Sequence, residues 1–130
     1  MTKTTNYEIS KKLSEIGFNA GTDYLCVEDG GEISCVNKFH FSDYFRFGKA
    51  LCKSYNLETL LDALPEKIKV GESRYRTPQS KLFYFDKIIG YAKEPKIEFQ
   101  FYCRIQENES LADTAGRLII LLESKNLIKF

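Results

Sequence analysis

The chain has 130 residues, 43% of them hydrophobic and 28% charged, with 3 Pro and 8 Gly, a composition that excludes a disordered, collagen-like or low-complexity chain. Nineteen Lys and Arg oppose 18 Asp and Glu, and the resulting net charge of +1 supplies no whole-molecule field toward nucleic acid or an anionic membrane. The length fits a single domain over residues 1–130, large enough to bury roughly two thirds of its unfolded surface without a staple.

The N-terminal stretch MTKTTNYEISKKLSEIGF contains no apolar segment of the kind a secretory signal needs. Within it, Thr5 and Glu8 have capping-box spacing, and Ile9, Leu13 and Ile16 follow as a helical apolar stripe. Gly17 supplies the left-handed residue that ends a helix, after which Phe18 can fold back on Leu13. Two β-prone runs then flank Asp29-Gly30-Gly31-Glu32. A two-residue turn at the glycines pairs Val27 with Ser34 and Cys26 with Cys35. Residues from Phe39 to Tyr55 alternate in part like a strand and in part permit a helical turn, with an irregular connection expected around 41–48.

Asn56 has the character of a helix cap. Leu57, Leu60, Leu61 and Leu64 occupy i, i+3, i+4 and i+7, and Pro65 closes this short central helix. A polar, basic connection follows over 65–81, with a short strand at Lys67–Val70. The segment Lys81–Lys93 is read as one strand rich in aromatic and β-branched residues, leading to a turn at Glu94-Pro95. In the next strand Ile97, Phe99, Phe101, Cys103 and Ile105 alternate with Glu98, Gln100, Tyr102, Arg104 and Gln106, the mark of an antiparallel strand with one wet face. The last helix starts at Ser110, with Asp113 at capping-box spacing. Its stripe is Leu111, Ala115, Leu118 and Leu122, widened by Ala112 and Ile119, and Ile120 falls on the opposite face. The expected fold is therefore α+β: an antiparallel sheet of about four strands, with an N-terminal, a short central and a C-terminal helix packed mainly on one face.

The segments SYNLETLLDALPEKI and ESLADTAGRLIILLESKNLI carry a resemblance. Leu57, Leu60, Leu61, Leu64 and Pro65, then Leu111, Ala112, Asp113, Ala115, Leu118, Leu122 and Leu127-Ile128, make the chain similar to small uncharacterised proteins encoded by phages and prophages. The likeness covers about a third of the chain. Thr114 departs from the alanine frequent in that group, and the chain lacks the Trp common in its strands. The resemblance implies a phage or prophage origin and a bacterial cytoplasm, and it implies no activity.

The residues offer little for catalysis. There is no phosphate-binding glycine loop, because Gly30-Gly31 lacks the helix and Lys that would follow. The four cysteines, Cys26, Cys35, Cys52 and Cys103, form no C-x-x-C pair, and His40 is the only histidine. No metal or cofactor is expected, and the cysteines are expected to be reduced thiols packed as small hydrophobes. Opposed Cys26 and Cys35 are bridgeable only if their pair is of the non-hydrogen-bonded kind. Glu107, Glu109 and Asp113 are read as capping and dipole-compensating residues.

Two surfaces remain. Phe83, Phe85, Phe99 and Phe101 are expected under the helices, leaving Tyr84, Tyr91 and Tyr102 on the other sheet face. Together with Ile120, these tyrosines are the candidate surface for a protein partner or a homodimer. The alternative is nucleic acid, held by Lys69, Arg74, Tyr75, Arg76 and Lys81 of the basic connection. No apolar run approaches the roughly 18 residues of a membrane span, so no membrane partner is expected, and the expected place of action is the cytoplasm. The sequence thus points to an accessory protein acting by protein–protein contact rather than to an enzyme.

Overall fold

The computed structural model describes residues 4–37, 48–69, 79–93 and 98–130. His40, the expected irregular connection up to residue 47, the turn at Glu94-Pro95, and Arg74, Tyr75 and Arg76 lie outside these residues.

Helix α1 spans Tyr7–Glu15, and its cap is Asn6, one residue beyond the expected Thr5. Asn6 Oδ1 accepts a 2.9 Å hydrogen bond from the Ile9 N–H. Thr5 is taken by a tertiary contact instead. Its N–H donates to the Tyr55 carbonyl, its hydroxyl accepts from the Tyr55 N–H, and it lies fully buried beside Ser10. The helix ends as expected: Gly17 has φ +88°, the Phe18 N–H reaches the Leu13 carbonyl at 2.9 Å, and the Gly17 N–H reaches that of Ser14. Phe18 then meets the Tyr55 ring edge-on at 4.7 Å.

Strands β1 (Tyr24–Asp29), β2 (Glu32–Asn37) and β3 (Gly48–Ser54) form an antiparallel sheet in the order β2-β1-β3. Gly30 and Gly31 both have positive φ, and the register pairs Asp29 with Glu32, Val27 with Ser34 and Cys26 with Cys35, as the turn count predicts. The segment that also permitted a helical turn is strand β3, paired along β1 with Cys52 facing Cys26.

Helix α2 (Leu57–Ala63) is capped by Asn56, whose side chain accepts from the Thr59 N–H. A second antiparallel sheet follows, β4 (Lys67–Lys69), β5 (Gln79–Phe85), β6 (Ile88–Lys93) and β7 (Glu98–Arg104), in that order. The single strand expected over Lys81–Lys93 is a hairpin. Asp86 and Lys87 take φ +50° and +62°, the left-handed pair of a type I′ turn. No glycine marks that turn, and the run of apolar residues on both sides reads as continuous.

Helix α3 (Leu111–Ser124) begins at Ser110, whose hydroxyl accepts from the Asp113 N–H at 3.1 Å. It packs on β7 and β6, on α2 and on α1, while α1 packs on β3 and β2. Helices α1 and α3 therefore lie between the two sheets, with α2 packed on α3. The core gathers Ile9, Leu13, Phe18, Tyr55, Leu60, Ile89, Tyr91, Leu118, Ile119 and Leu122 around α3. The α+β class and the three helices are as expected, and the described strands divide into sheets of three and four rather than forming one. Among the described residues no helix is long and apolar enough to cross a membrane.

Candidate functional site

The hairpin at Asp86-Lys87 decides which aromatic residues face out. Cross-strand partners share a face, so Leu82, Tyr91 and Phe101 form one rung of the four-stranded sheet, and Phe83, Gly90 and Tyr102 form the next on the other side. The expected division into inward phenylalanines and outward tyrosines is corrected accordingly. Tyr91 is fully buried under the helices, and its hydroxyl donates to the Pro65 carbonyl at 2.5 Å. Burial pushes its phenol well above the ordinary value. Phe83 and Phe85 share the outer face with Tyr102, and Phe85 is 61% exposed. Tyr84 has the inner parity, but α3 packs on β6 and β7, which leaves this β5 residue 58% exposed.

Strand β7 carries one more departure. Its register shifts between Tyr91 and Ala92, so that Gln100 is an extra residue. The strict alternation expected for this strand breaks there, and the Phe99 ring stands 6.0 Å from that of Tyr102. Gly90 is required opposite Tyr102. A Cβ at Gly90 would come within 2.4 Å of the Phe101 carbonyl oxygen and 2.5 Å of the Tyr102 Cβ.

Tyr102 and Ile120 are brought together. Both line a groove of about 440 Å³ between β7, α1 and α3, with Ile9, Lys12, Arg117 and Leu121. Tyr102 is 47% exposed and Ile120 half-buried. Strand β7 is the outermost strand of its sheet, and no described strand pairs with its other edge. Arg117 anchors the wall of this groove. Its guanidinium makes a bidentate ion pair with Glu109 at 2.7 Å and donates to the Arg104 carbonyl at the end of β7. Burial raises the Glu109 carboxyl, but hydrogen bonds from Arg117, Thr114 and the Gln106 N–H outweigh it and hold the group below the ordinary carboxylate value. Glu109 and Asp113 are thus engaged in internal hydrogen bonds, Glu109 with Arg117, Thr114 and the Gln106 N–H, and Asp113 with the Asn6 N–H at the cap of α1.

A second constellation lies on the three-stranded sheet. Cys35, Cys26 and Cys52 form a row across β2, β1 and β3. All are free thiols; Cys26 is buried, Cys35 exposed and Cys52 half-buried. Cys26 and Cys35 Sγ stand 3.5 Å apart, and Cys35 Sγ is 3.3 Å from the Thr5 carbonyl oxygen. The turn count found the first pair. The place of Cys52 depends on the pairing of β3 with β1, which no local signal in the sequence encodes. Of the basic connection, Lys67 faces Lys81 and Lys69 faces Gln79 in the β4–β5 ladder. Among the described residues no group of three His, Cys, Asp or Glu has the geometry to hold a metal ion. Comparison with protein-family models, with curated proteins and with solved structures finds no match to this chain.

Proposed function

We propose that this chain is a non-catalytic accessory protein of the phage or prophage type, acting by protein–protein contact through the outer edge of β7 and the groove beside it. The observation that carries this reading is the meeting of Tyr102 and Ile120 in one groove, at a strand edge that pairs with no other strand among the described residues. Edge strands offer a row of backbone donors and acceptors to an added strand, and a neighbouring pocket supplies side-chain selectivity. Tyrosine beside an aliphatic residue is an anchor composition typical of interfaces. Phe85 is exposed on the same sheet face as Tyr102, two strands away. The phage or prophage origin rests on the resemblance of the 57–65 and 111–128 segments alone.

The partner favoured is a second copy of the chain. A net charge of +1 sets up no repulsion between copies, and antiparallel pairing of β7 with its own mate gives a closed two-fold interface. Sedimentation velocity at micromolar concentration is the test. The expected result is a dimer that Tyr102→Ser or Ile120→Asp weakens by about thirtyfold in Kd, the size of a truncated interface anchor. A strict monomer that also captures no protein from a bacterial lysate overturns the reading.

A further inference from the structure

The row of thiols on the three-stranded sheet is independent of the β7 groove. Counting outward from the two-residue turn, Asp29–Glu32 is a hydrogen-bonded pair and the pairs alternate, so Cys26–Cys35 falls on a non-hydrogen-bonded one. Such pairs hold their Cα atoms about 4.5 Å apart, inside the range a disulfide spans. The two sulfurs, 3.5 Å apart, are already in contact.

Their access differs sharply. Cys26 is fully buried, whereas Cys35 is exposed and opens into a polar cavity of about 560 Å³ with Thr4, Asn6, Glu109, Ser110 and Asp113. Ser54, the last residue of β3, has a buried hydroxyl that makes no hydrogen bond among the described residues. It is one of the groups that act on Cys35. We propose that Cys35 and Cys26 form a dithiol that a low-molecular-weight disulfide oxidises, Cys35 being the attacking sulfur and Cys26 the resolving one.

The step balances. The Cys35 thiolate attacks one sulfur of the small disulfide, whose S–S bond breaks and releases one thiolate. A mixed disulfide is left on Cys35. Cys26 passes its proton to the released thiolate and attacks the Cys35 sulfur, forming the Cys26–Cys35 bond and expelling the second half of the reagent, which takes its proton from water as a thiol. The protein gives up two electrons, and the small disulfide is reduced to two thiols. The electrostatics suit these roles. The hydrogen bond from Cys26 draws the Cys35 thiol below its ordinary value, helped by Thr4 and Ser54 and opposed by burial and by Asp113. The same hydrogen bond, with burial, pushes Cys26 up and keeps it a protonated donor until the mixed disulfide forms. Cys52 lies on the other side of Cys26, its thiol pushed up by burial.

The test incubates the full reduced chain with glutathione disulfide, quenches in acid and maps unreduced peptides by mass spectrometry. The expected product is a Cys26–Cys35 cross-linked peptide, with a mass lowered by two hydrogens. Cys26→Ser is expected to stop with glutathione on Cys35. Cys35→Ser is expected to take no glutathione at Cys26 in the time that bridges the wild type, and Cys52→Ser to behave as wild type. A Cys26–Cys52 bridge overturns the proposal, as does a wild type that gains only a stable glutathione adduct. If the buried Cys26→Ser chain fails to fold, the wild-type peptide map and the exposed Cys35→Ser variant still decide between these outcomes.

Discussion

Asp113 Oδ1 accepts a 2.6 Å hydrogen bond from the backbone N–H of Asn6, 107 positions earlier in the chain. Capping-box spacing assigns this carboxylate to the start of its own helix, and Ser110 does accept from the Asp113 N–H. The carboxylate itself crosses to the cap of α1. One acid thereby satisfies an orphan donor of one helix while sitting in the first turn of another, favourable to both dipoles.

Asp113 is 8% exposed, so removing its acceptor leaves the Asn6 N–H without a partner. Asp113→Ala is expected to cost about 2 kcal/mol, as for a hydrogen bond to a charged group. Asp113→Asn, which keeps a carbonyl oxygen, is expected to cost less. Urea unfolding measures both, and amide exchange should quicken first in α1.

Gly116 sits inside α3 against α1, where an added Cβ would lie 2.6 Å from Ile9 Cγ2 and 3.3 Å from Thr5 Cγ2. In an open helix Gly→Ala would stabilise by about 1 kcal/mol. Here overpacking should win, and Gly116→Ala is expected to lower stability by about 1–2 kcal/mol net. In an Ile9→Ala background the same change should cost less or become stabilising. A double-mutant cycle reads this coupling directly, and additive costs would contradict it.

Tyr91 and Tyr55 set an alkaline limit. Burial raises both phenols from the ordinary 10.0, Tyr55 to about 12 with a further push from Cys52. The folded chain then holds protons that the unfolded chain releases. Stability is fully present below pH 10 and falls as pH climbs through that window. Tyr91→Phe removes the bond to the Pro65 carbonyl and should cost about 1 kcal/mol at neutral pH. It should also flatten the alkaline decline, which unfolding across pH 9–12 would show.

Glu109 sets the opposite limit. Its folded carboxyl lies below the ordinary 4.5, so its contribution is present above that value and is lost as pH falls through the folded one. Glu109→Gln should weaken the chain at neutral pH and flatten the acid limb. Arg117→Ala strands both Glu109 and the Arg104 carbonyl, with an expected loss of about 2 kcal/mol at pH 7 that shrinks below pH 4.

The parts of this fold that were legible in the sequence are the ones held by neighbours in the chain. Gly17 with Phe18, Asn56 with Thr59, Ser110 with Asp113, and the glycine turn with its whole β1–β2 register each close within a few residues. The Asp86-Lys87 turn was not legible, since two residues other than glycine take left-handed φ there. Missing it left Tyr91 grouped with Tyr102, although the two lie on opposite sheet faces. Of the candidate groove, the sequence singles out Tyr102 and Ile120 separately, and their meeting is tertiary.

Periodicity, caps and turns are short-range physics, and they are enough to specify an aromatic, nearly neutral α+β chain, the three helices of the described residues, the first hairpin and the Cys26–Cys35 pair. Tertiary packing is what splits the described strands into two sheets, turns Thr5 to Tyr55 instead of capping, lets Cys52 complete a row of thiols, and selects which tyrosine is buried. Each of these follows from pairing between distant segments. Side-chain alternation says that a strand has two faces, but cross-strand register and packing choose which of them meets the core.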